Sequence, residues 1–518
     1  MTSQFGTHLI IAMQRWKQFL CRGFGAMGCL LAVSGGLYTV HGCSQAQTAS
    51  ESFVDAGSDL AHGPEDLTSA GDLTSIAMDF APPSGQSGAL LWWRVTASAD
   101  VDETTAVATA SDGDVFAVGV YSKPITVNGT TYPCAGVDDA FVMKVAPSGT
   151  IRWFKTISTS SSDQAVGVAA DAQGGVYVVG RISSPFDFGG GRLTPSGNTD
   201  VFWAHYDASG AYLGAQLIGG NSEDSVTSVR TDGSGNVLIS GWFDSTTLQV
   251  GGTMLTNTGS FTHQSFVAKL TAMGTTLWAK SFGGPYDDQM NGVTTDGSGN
   301  VFITGEFKGS IDLGKGTLST TVVTESDAYL AKLSGAGVTE WAIRAGGTGQ
   351  DRGVAVATDR MGNLYATGSY NSQISFGGGT LSNGGTYVVK LSSGGTQQWA
   401  ESGTRQDTLT IRALTVDPFD QAVIVGEFIG AIQLGSNMLN TGGFTVPQVV
   451  VKKYGPSGQS VWCRQLGDPN FASRGRDVAA DASGNLYLGG ASVNPNFGSG
   501  QLGVSGVGLD SVLIKLAP

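Results

Sequence analysis

The sequence predicts an all-β fold, a closed ring of seven four-stranded antiparallel sheets, and three observations predict it. A turn-and-strand unit returns seven times at intervals of 58 to 64 residues. Glycine supplies 78 of 518 residues and falls at turns between β-branched and aromatic runs, about twice ordinary usage and without a collagen period. The last unit also lacks an outer strand that the chain ahead of the first unit can supply.

The unit is seen most plainly in Asp296-Gly-Ser-Gly-Asn-Val-Phe-Ile-Thr-Gly305. Asp and Asn side chains hydrogen-bond their own backbone in tight turns, glycine admits positive φ, and the Val-Phe-Ile-Thr run suits a pleated, half-buried strand. The turn Asp recurs as Asp112, Asp171, Asp232, Asp296, Asp359, Asp417 and Asp481. A strand follows each time, as in Val115-Phe-Ala-Val118, Val176-Tyr-Val-Val179 and Leu364-Tyr-Ala-Thr367, closed by Gly119, Gly180 and Gly368. Next come a Gly-rich hairpin, such as Ile311 to Leu318, and a strand of the type Asp327-Ala-Tyr-Leu-Ala-Lys-Leu333. After another turn, an outer strand carries Trp153, Trp278, Trp341, Trp399 or Trp462, with Gly214 standing in one Trp slot.

Each unit therefore reads as four strands: one running into the Asp, the Val-Tyr-Val strand, the strand bearing Lys, and the Trp strand. Such sheets bury both apolar faces only when stacked, and seven stacked radially make a β-propeller. The chain stops after a Lys-type strand at Leu516-Ala-Pro518, while Leu90-Leu-Trp-Trp-Arg94 precedes the first unit without a blade of its own. Residues 90–96 are thus expected to complete the seventh blade and close a propeller spanning 89–518.

The N-terminal region reads as an address. Residues 1–43 carry Arg15, Lys17 and Arg22, then an apolar stretch from Phe24 to Val40, then His41-Gly42-Cys43. That order describes a secretory signal peptide, too short and Gly-interrupted for a good membrane span, with translation starting at Met1 or Met13. Residues 44–88 are rich in Ser, Ala, Asp, Gly and Thr and are expected to form a flexible polar spacer. Cys134 and Cys463 alone remain in the body, so no disulfide framework is expected. A net charge of −14 without a Lys/Arg cluster argues against nucleic acid as partner.

The units resemble the bacterial β-propeller repeat of secreted and surface proteins, with pattern D-x-x-G-N-V-Y-V-T-G, then D-A-F-V-A-K-L, then a Trp strand. Asp296 to Gly305 and Asp327 to Leu333 match it closely, whereas Asp417-Pro-Phe-Asp-Gln421 lacks the turn Gly and His205 replaces the strand Lys. The end of the leader resembles a lipobox, which implies lipidation of Cys43, with Ser44 after it resembling lipoproteins of the outer membrane. Ordinary signal cleavage is the alternative. The family implies fold and export but no single reaction.

Candidate sites are few. A carboxylate stands eight residues before the turn Asp at Asp163, Asp224, Asp288 and Asp351, with Glu103 and Asp407 slightly out of register. In a closed ring these are expected around one mouth of the channel, as ligand-binding residues, with calcium the cofactor that Asp224, Asp288 and Asp351 would suit as oxygen ligands. The competing reading has each Asp bonding loop backbone in its own blade. Trp242, outside the Trp series, is a candidate exposed aromatic for a ligand. The Trp series itself reads as packing between blades, and the Lys series (Lys144, Lys269, Lys332, Lys390, Lys453, Lys515) as paired structural positions. No catalytic residue is assigned: His205 and His263 are the only histidines in the propeller, and no nucleophile elbow, zinc motif or P-loop is present. The expectation is an exported, lipid-anchored monomer that binds or scaffolds protein or glycan at the cell surface. The alternative is a lyase or hydrolase using acidic residues at the channel mouth.

Overall fold

The computed structural model describes residues 77–79 and 87–518, apart from 97, 99, 260, 261, 405–407, 444, 469 and 494–507. Cys43 and Asp407 lie outside the described residues. Seven antiparallel sheets form, with blade 4 as the pattern: Asp288–Thr295, Val301–Lys308, Ser326–Leu333 and Thr339–Ala345, in that order from the axis outward. The innermost strands contact one another in turn, and that of blade 7, Ser473–Ala480, meets that of blade 1, Asp102–Thr109. The seven-bladed β-propeller is therefore closed.

Closure is made as expected. Leu90–Thr96 pairs antiparallel with Asp510–Leu516, Trp93 opposite Ile514, and is the fourth strand of blade 7. The gap between chain ends takes the place of a turn: Gly88 N–H donates to the carbonyls of Ala517 and Pro518, and Ala517 N–H to that of Ala89. Inside the expected spacer, Ala77–Asp79 forms a short strand along Leu90–Thr96, so blade 7 has a fifth strand and backbone structure begins ahead of residue 88. The outer edge of blade 2, Tyr212–Gly219, is likewise extended by the hairpin of blade 3, through Ile218 opposite Val250.

Apolar side chains from neighbouring blades fill the space between sheets. Leu238 and Val267 of blade 3 pack with Met290, Val293, Val301 and Ile303 of blade 4. The Trp series fastens these seams. Trp153, Trp278, Trp341 and Trp399 each donate Nε1–H to a turn carbonyl in the next blade, at Ala208, Gly335, Ser393 and Pro456, 3.0 to 3.1 Å away. Their rings lie on a turn glycine of positive φ, at Gly210, Gly337, Gly395 and Gly458, where a Cβ would crowd the indole at 2.8 to 3.2 Å. Trp92 does the same for the closing blade, donating to Pro147 O at 2.7 Å over Gly149.

Blade 2, with Gly214 in the Trp slot, is repaired from the adjacent strand. Trp203 sits beside Gly214 and covers Gly274 of blade 3, where a Cβ would fall 2.1 Å from the ring. Removing one indole left room for another from the neighbouring strand.

Candidate functional site at the channel mouth

The turn Asp holds the end of each blade away from the mouth. Asp296 Oδ1 accepts from the N–H groups of Ser298 and Asn300, and Oδ2 from the Asn300 amide. In three other copies Oδ2 also meets the strand cation: Asp232 to Lys269 at 2.8 Å, Asp359 to Lys390 at 3.0 Å, Asp417 to Lys453 at 2.8 Å. His205 takes over the Lys position and meets Asp171 at 2.8 Å while stacking on Tyr177. Lys332 pairs with Glu340 instead.

Blade 1 corrects the repeat map. Its turn closes between Ala110 N–H and Asp114 O, as the others close between Asp171 and Gly175 or Asp296 and Asn300. Ala110 therefore occupies the anchor position, and Asp112 sits two residues into the turn, where it and Asp114 both approach Lys144. Eight residues before Ala110 stands Asp102, so Asp102 rather than Glu103 is the fifth member of the loop-carboxylate series. Leu409 and Ser473 hold the same position in blades 6 and 7.

The loop carboxylates are not gathered into one group. Each is fully buried and accepts the backbone N–H four residues earlier: Ser98 to Asp102, Thr159 to Asp163, Gly220 to Asp224, Gly284 to Asp288, Gly347 to Asp351. They point outward from the axis, toward the third strand of the preceding blade. A Cβ on Gly346 would lie 2.4 Å from Asp327 Oδ1 and 2.8 Å from Asp351 Oδ2, so that glycine is the spacer between two buried carboxyls. Burial pushes the carboxyl up to about 7 at Asp102, Asp224 and Asp288 and to about 6 at Asp163 and Asp351, against loop hydrogen bonds that favour the charged form. Neighbouring Asp510, Asp139, Asp200 and Asp327 add to the rise at Asp102, Asp163, Asp224 and Asp351. Among the described residues no three His, Cys, Asp or Glu side chains are grouped so as to hold a metal ion.

The channel is built by a feature the sequence reading misses. Every innermost strand carries a β-bulge at the same place, and the seven extra residues, Thr105, Val166, Thr227, Asn291, Val354, Arg412 and Arg476, all line one central cavity of about 120 Å³. A bulge bends its strand and turns its extra residue out of the ladder. Thr105, Thr227 and Asn291 use theirs to bond the next blade, at the carbonyls of Ala165, Met290 and Gly353. The only sequence trace of this is a break in strict alternation.

Above the bulges, at the end where each innermost strand begins, the sixth residue of the second strand stands at the mouth. The seven copies hold Val120, Arg181, Trp242, Glu306, Ser369, Glu427 and Ala491. Contacts tie two of them to the bulge ring, since Glu427 meets Arg412, and Arg352, which pairs with Glu306, also reaches Asn291, whereas Ser369 and Ala491 are buried. Arg476 meets Glu103 of blade 1 at 2.6 Å, and Arg181 meets Glu223 of blade 3 at 3.6 Å. Trp242 is partly exposed and tilted against His263, ring centroids 4.0 Å apart. His263 Nδ1 lies 3.2 Å from Gln289 Nε2 and 3.8 Å from Asp287 Oδ1. Asp163, Asp224, Asp288 and Asp351 thus fall beneath the mouth loops, and Trp242 falls on the mouth itself.

A family model described as a β-propeller repeat matches residues 277–306, the stretch that includes Asp296 to Gly305. The WD repeat-containing protein L264 of Acanthamoeba polyphaga mimivirus is 22% identical over 429 residues, covering 66% of this chain and 30% of that protein. Regulatory protein FlaEY of Caulobacter vibrioides is 23% identical over 430 residues, covering 72% of this chain and 44% of that protein. The chain thus spans less than half the length of either relative. Among solved structures, the WD40 propeller domain of Doa1 aligns over 81% of this chain and 96% of its own, with 9% identity and a TM-score of 0.40. Seven blades built on one recurring unit, one copy of which matches the repeat model, make this chain a seven-bladed β-propeller of repeated units.

Proposed function

We propose that this chain is a binding or scaffolding module whose ligand, protein or glycan, seats on the channel mouth. One observation carries the reading. At the opposite end of the blades six of the seven copies keep a turn Asp bound to its turn amides, whereas the mouth position differs in nearly every blade and is partly exposed at Val120, Arg181, Trp242, Glu306 and Glu427. Positions that the fold does not constrain are those left for recognition. Affinity capture with the whole chain, with and without Ca²⁺, tests this against a mouth variant, Trp242→Ala with Glu306→Lys, and a turn variant, Ser298→Lys. Partners lost only with the mouth variant support the reading; partners kept by the mouth variant sink it.

The acid-based enzyme has less behind it, since its carboxylates would have to meet a substrate and all five loop carboxylates are sealed in their own loops. Calcium at Asp224, Asp288 and Asp351 meets the same objection, because all three are buried and each already accepts a loop N–H, from Gly220, Gly284 and Gly347. A thermal shift on adding Ca²⁺ that Asp288→Asn abolishes would revive it.

Export and anchoring rest on the basic head, apolar stretch and Cys43. A lipid on Cys43, followed by the polar spacer, would hold a monomeric propeller at the outer membrane or cell surface. Cys43→Ser should release the protein from membranes; continued membrane association would refute the anchor.

A further inference from the structure

We infer that the mouth at blades 3 and 4 is a subsite for a neutral sugar ring, with Trp242 as its platform and His263, Gln289 and Asp287 as its polar partners. This deepens the binding reading above and rests on it. Blade 3 alone places an aromatic at the mouth position, where the other copies hold Val, Arg, Glu, Ser, Glu and Ala. A pyranose presents a face of C–H groups that suits the electron-rich face of an indole, while its hydroxyls need donors and acceptors at the rim. Those are present within one cluster: Gln289 offers an amide N–H and a carbonyl, His263 a second ring nitrogen beyond the one facing Gln289 and Asp287, and Asp287 a half-exposed carboxylate.

The charges of the mouth point the same way. Arg181, Arg352, Arg412 and Arg476 each face a carboxylate, at Glu223, Glu306, Glu427 and Glu103. Among the described residues, Arg474 is the mouth arginine without a carboxylate within 4 Å, and it lies on blade 7, away from Trp242. With four of its arginines matched to carboxylates, the mouth offers little positive field to draw an anionic ligand. What it offers is an aromatic face beside uncharged and singly acidic hydrogen-bonding groups, which is the chemistry of a neutral glycan.

The test uses the full chain and three neutral probes, cellohexaose, chitohexaose and mannohexaose, followed by calorimetry and tryptophan fluorescence. At least one should bind saturably. Trp242→Ala should weaken it about tenfold or more, Trp242→Phe less, and raising salt from about 0.05 to 0.5 M should change it less than about twofold. Arg474→Ala should leave it unchanged. Failure of all three probes to bind, full affinity in a folded Trp242→Ala, or a steep fall with salt each overturns the inference. If no sugar binds yet the mouth variant still loses its captured partners, the sugar subsite is wrong and the mouth reading stands; if neither responds, both fall.

Discussion

At the residue scale, one side chain does different amounts of work in different copies. Asp232 accepts two turn N–H groups and the Asn236 amide, and neutralises Lys269, which is itself buried. Asp296 makes the same turn bonds but is spared the lysine, since Lys332 goes to Glu340. Removing one member of a buried ion pair costs about 3 to 5 kcal/mol, whereas loss of turn hydrogen bonds alone costs about 1 to 3 kcal/mol. Urea unfolding should therefore show Asp232→Ala more destabilising than Asp296→Ala, and equal losses would mean the lysine contact contributes nothing. This asymmetry is invisible in the sequence, because the two turns, Asp232-Gly-Ser-Gly-Asn and Asp296-Gly-Ser-Gly-Asn, are identical. Only the strand two elements away decides where the lysine turns.

At the element scale, the loop between blades is a clasp whose parts are legible and whose purpose is not. The pattern Gly-Gly followed by Asp, at Gly219, Gly283 and Gly346, reads as ordinary turn composition. In three dimensions the first glycine packs on the third-strand residue of the blade before, Asp200, Gln264 or Asp327, and at Gly283 and Gly346 it also lies beside the loop carboxyl. Gly346→Ala forces a methyl between Asp327 and Asp351 and should cost about 1 to 3 kcal/mol; a neutral result would show that the two carboxyls can part freely. The Trp latches belong to the same scale. Trp278→Ala loses a bond to Gly335 O and the cover over Gly337, and should destabilise by about 3 kcal/mol. The outer-strand Trp positions are readable from sequence; the substitution of Trp203 for the missing one at Gly214 is not, because the two residues are neighbours only across the ladder.

At the scale of the whole molecule, the buried loop carboxyls give the ring a pH dependence. Their folded pKa values, about 6 to 7 at Asp102, Asp163, Asp224, Asp288 and Asp351, lie above the unfolded value of 3.8. The folded state therefore holds these protons more tightly, and stability falls as pH rises from about 4 through 7. Below 3.8 the opposite group takes over, since Asp112 and Asp232, held below the usual carboxylate range by their N–H and lysine contacts despite burial, lose those contacts on protonation. The unfolding midpoint should be highest near pH 4 and lower at pH 8, and a midpoint that climbs between pH 5 and 8 would contradict the burial of these groups. Ring closure is the other property of the whole. Deleting residues 89–96 removes the fourth strand of blade 7 and exposes Val512 and Ile514, so the midpoint should fall sharply; an unchanged midpoint would mean closure is made elsewhere. The sequence by itself determined the number of blades, the order of their strands and the joining of the two ends, because each follows from short-range turn chemistry and strand periodicity repeated seven times. Tertiary structure alone decided that the loop aspartates turn away from the channel, that bulge residues line it, and that Trp242 stands at its mouth. Those outcomes depend on which side of a strand faces the axis once seven blades have closed on one another, and no single repeat carries that information.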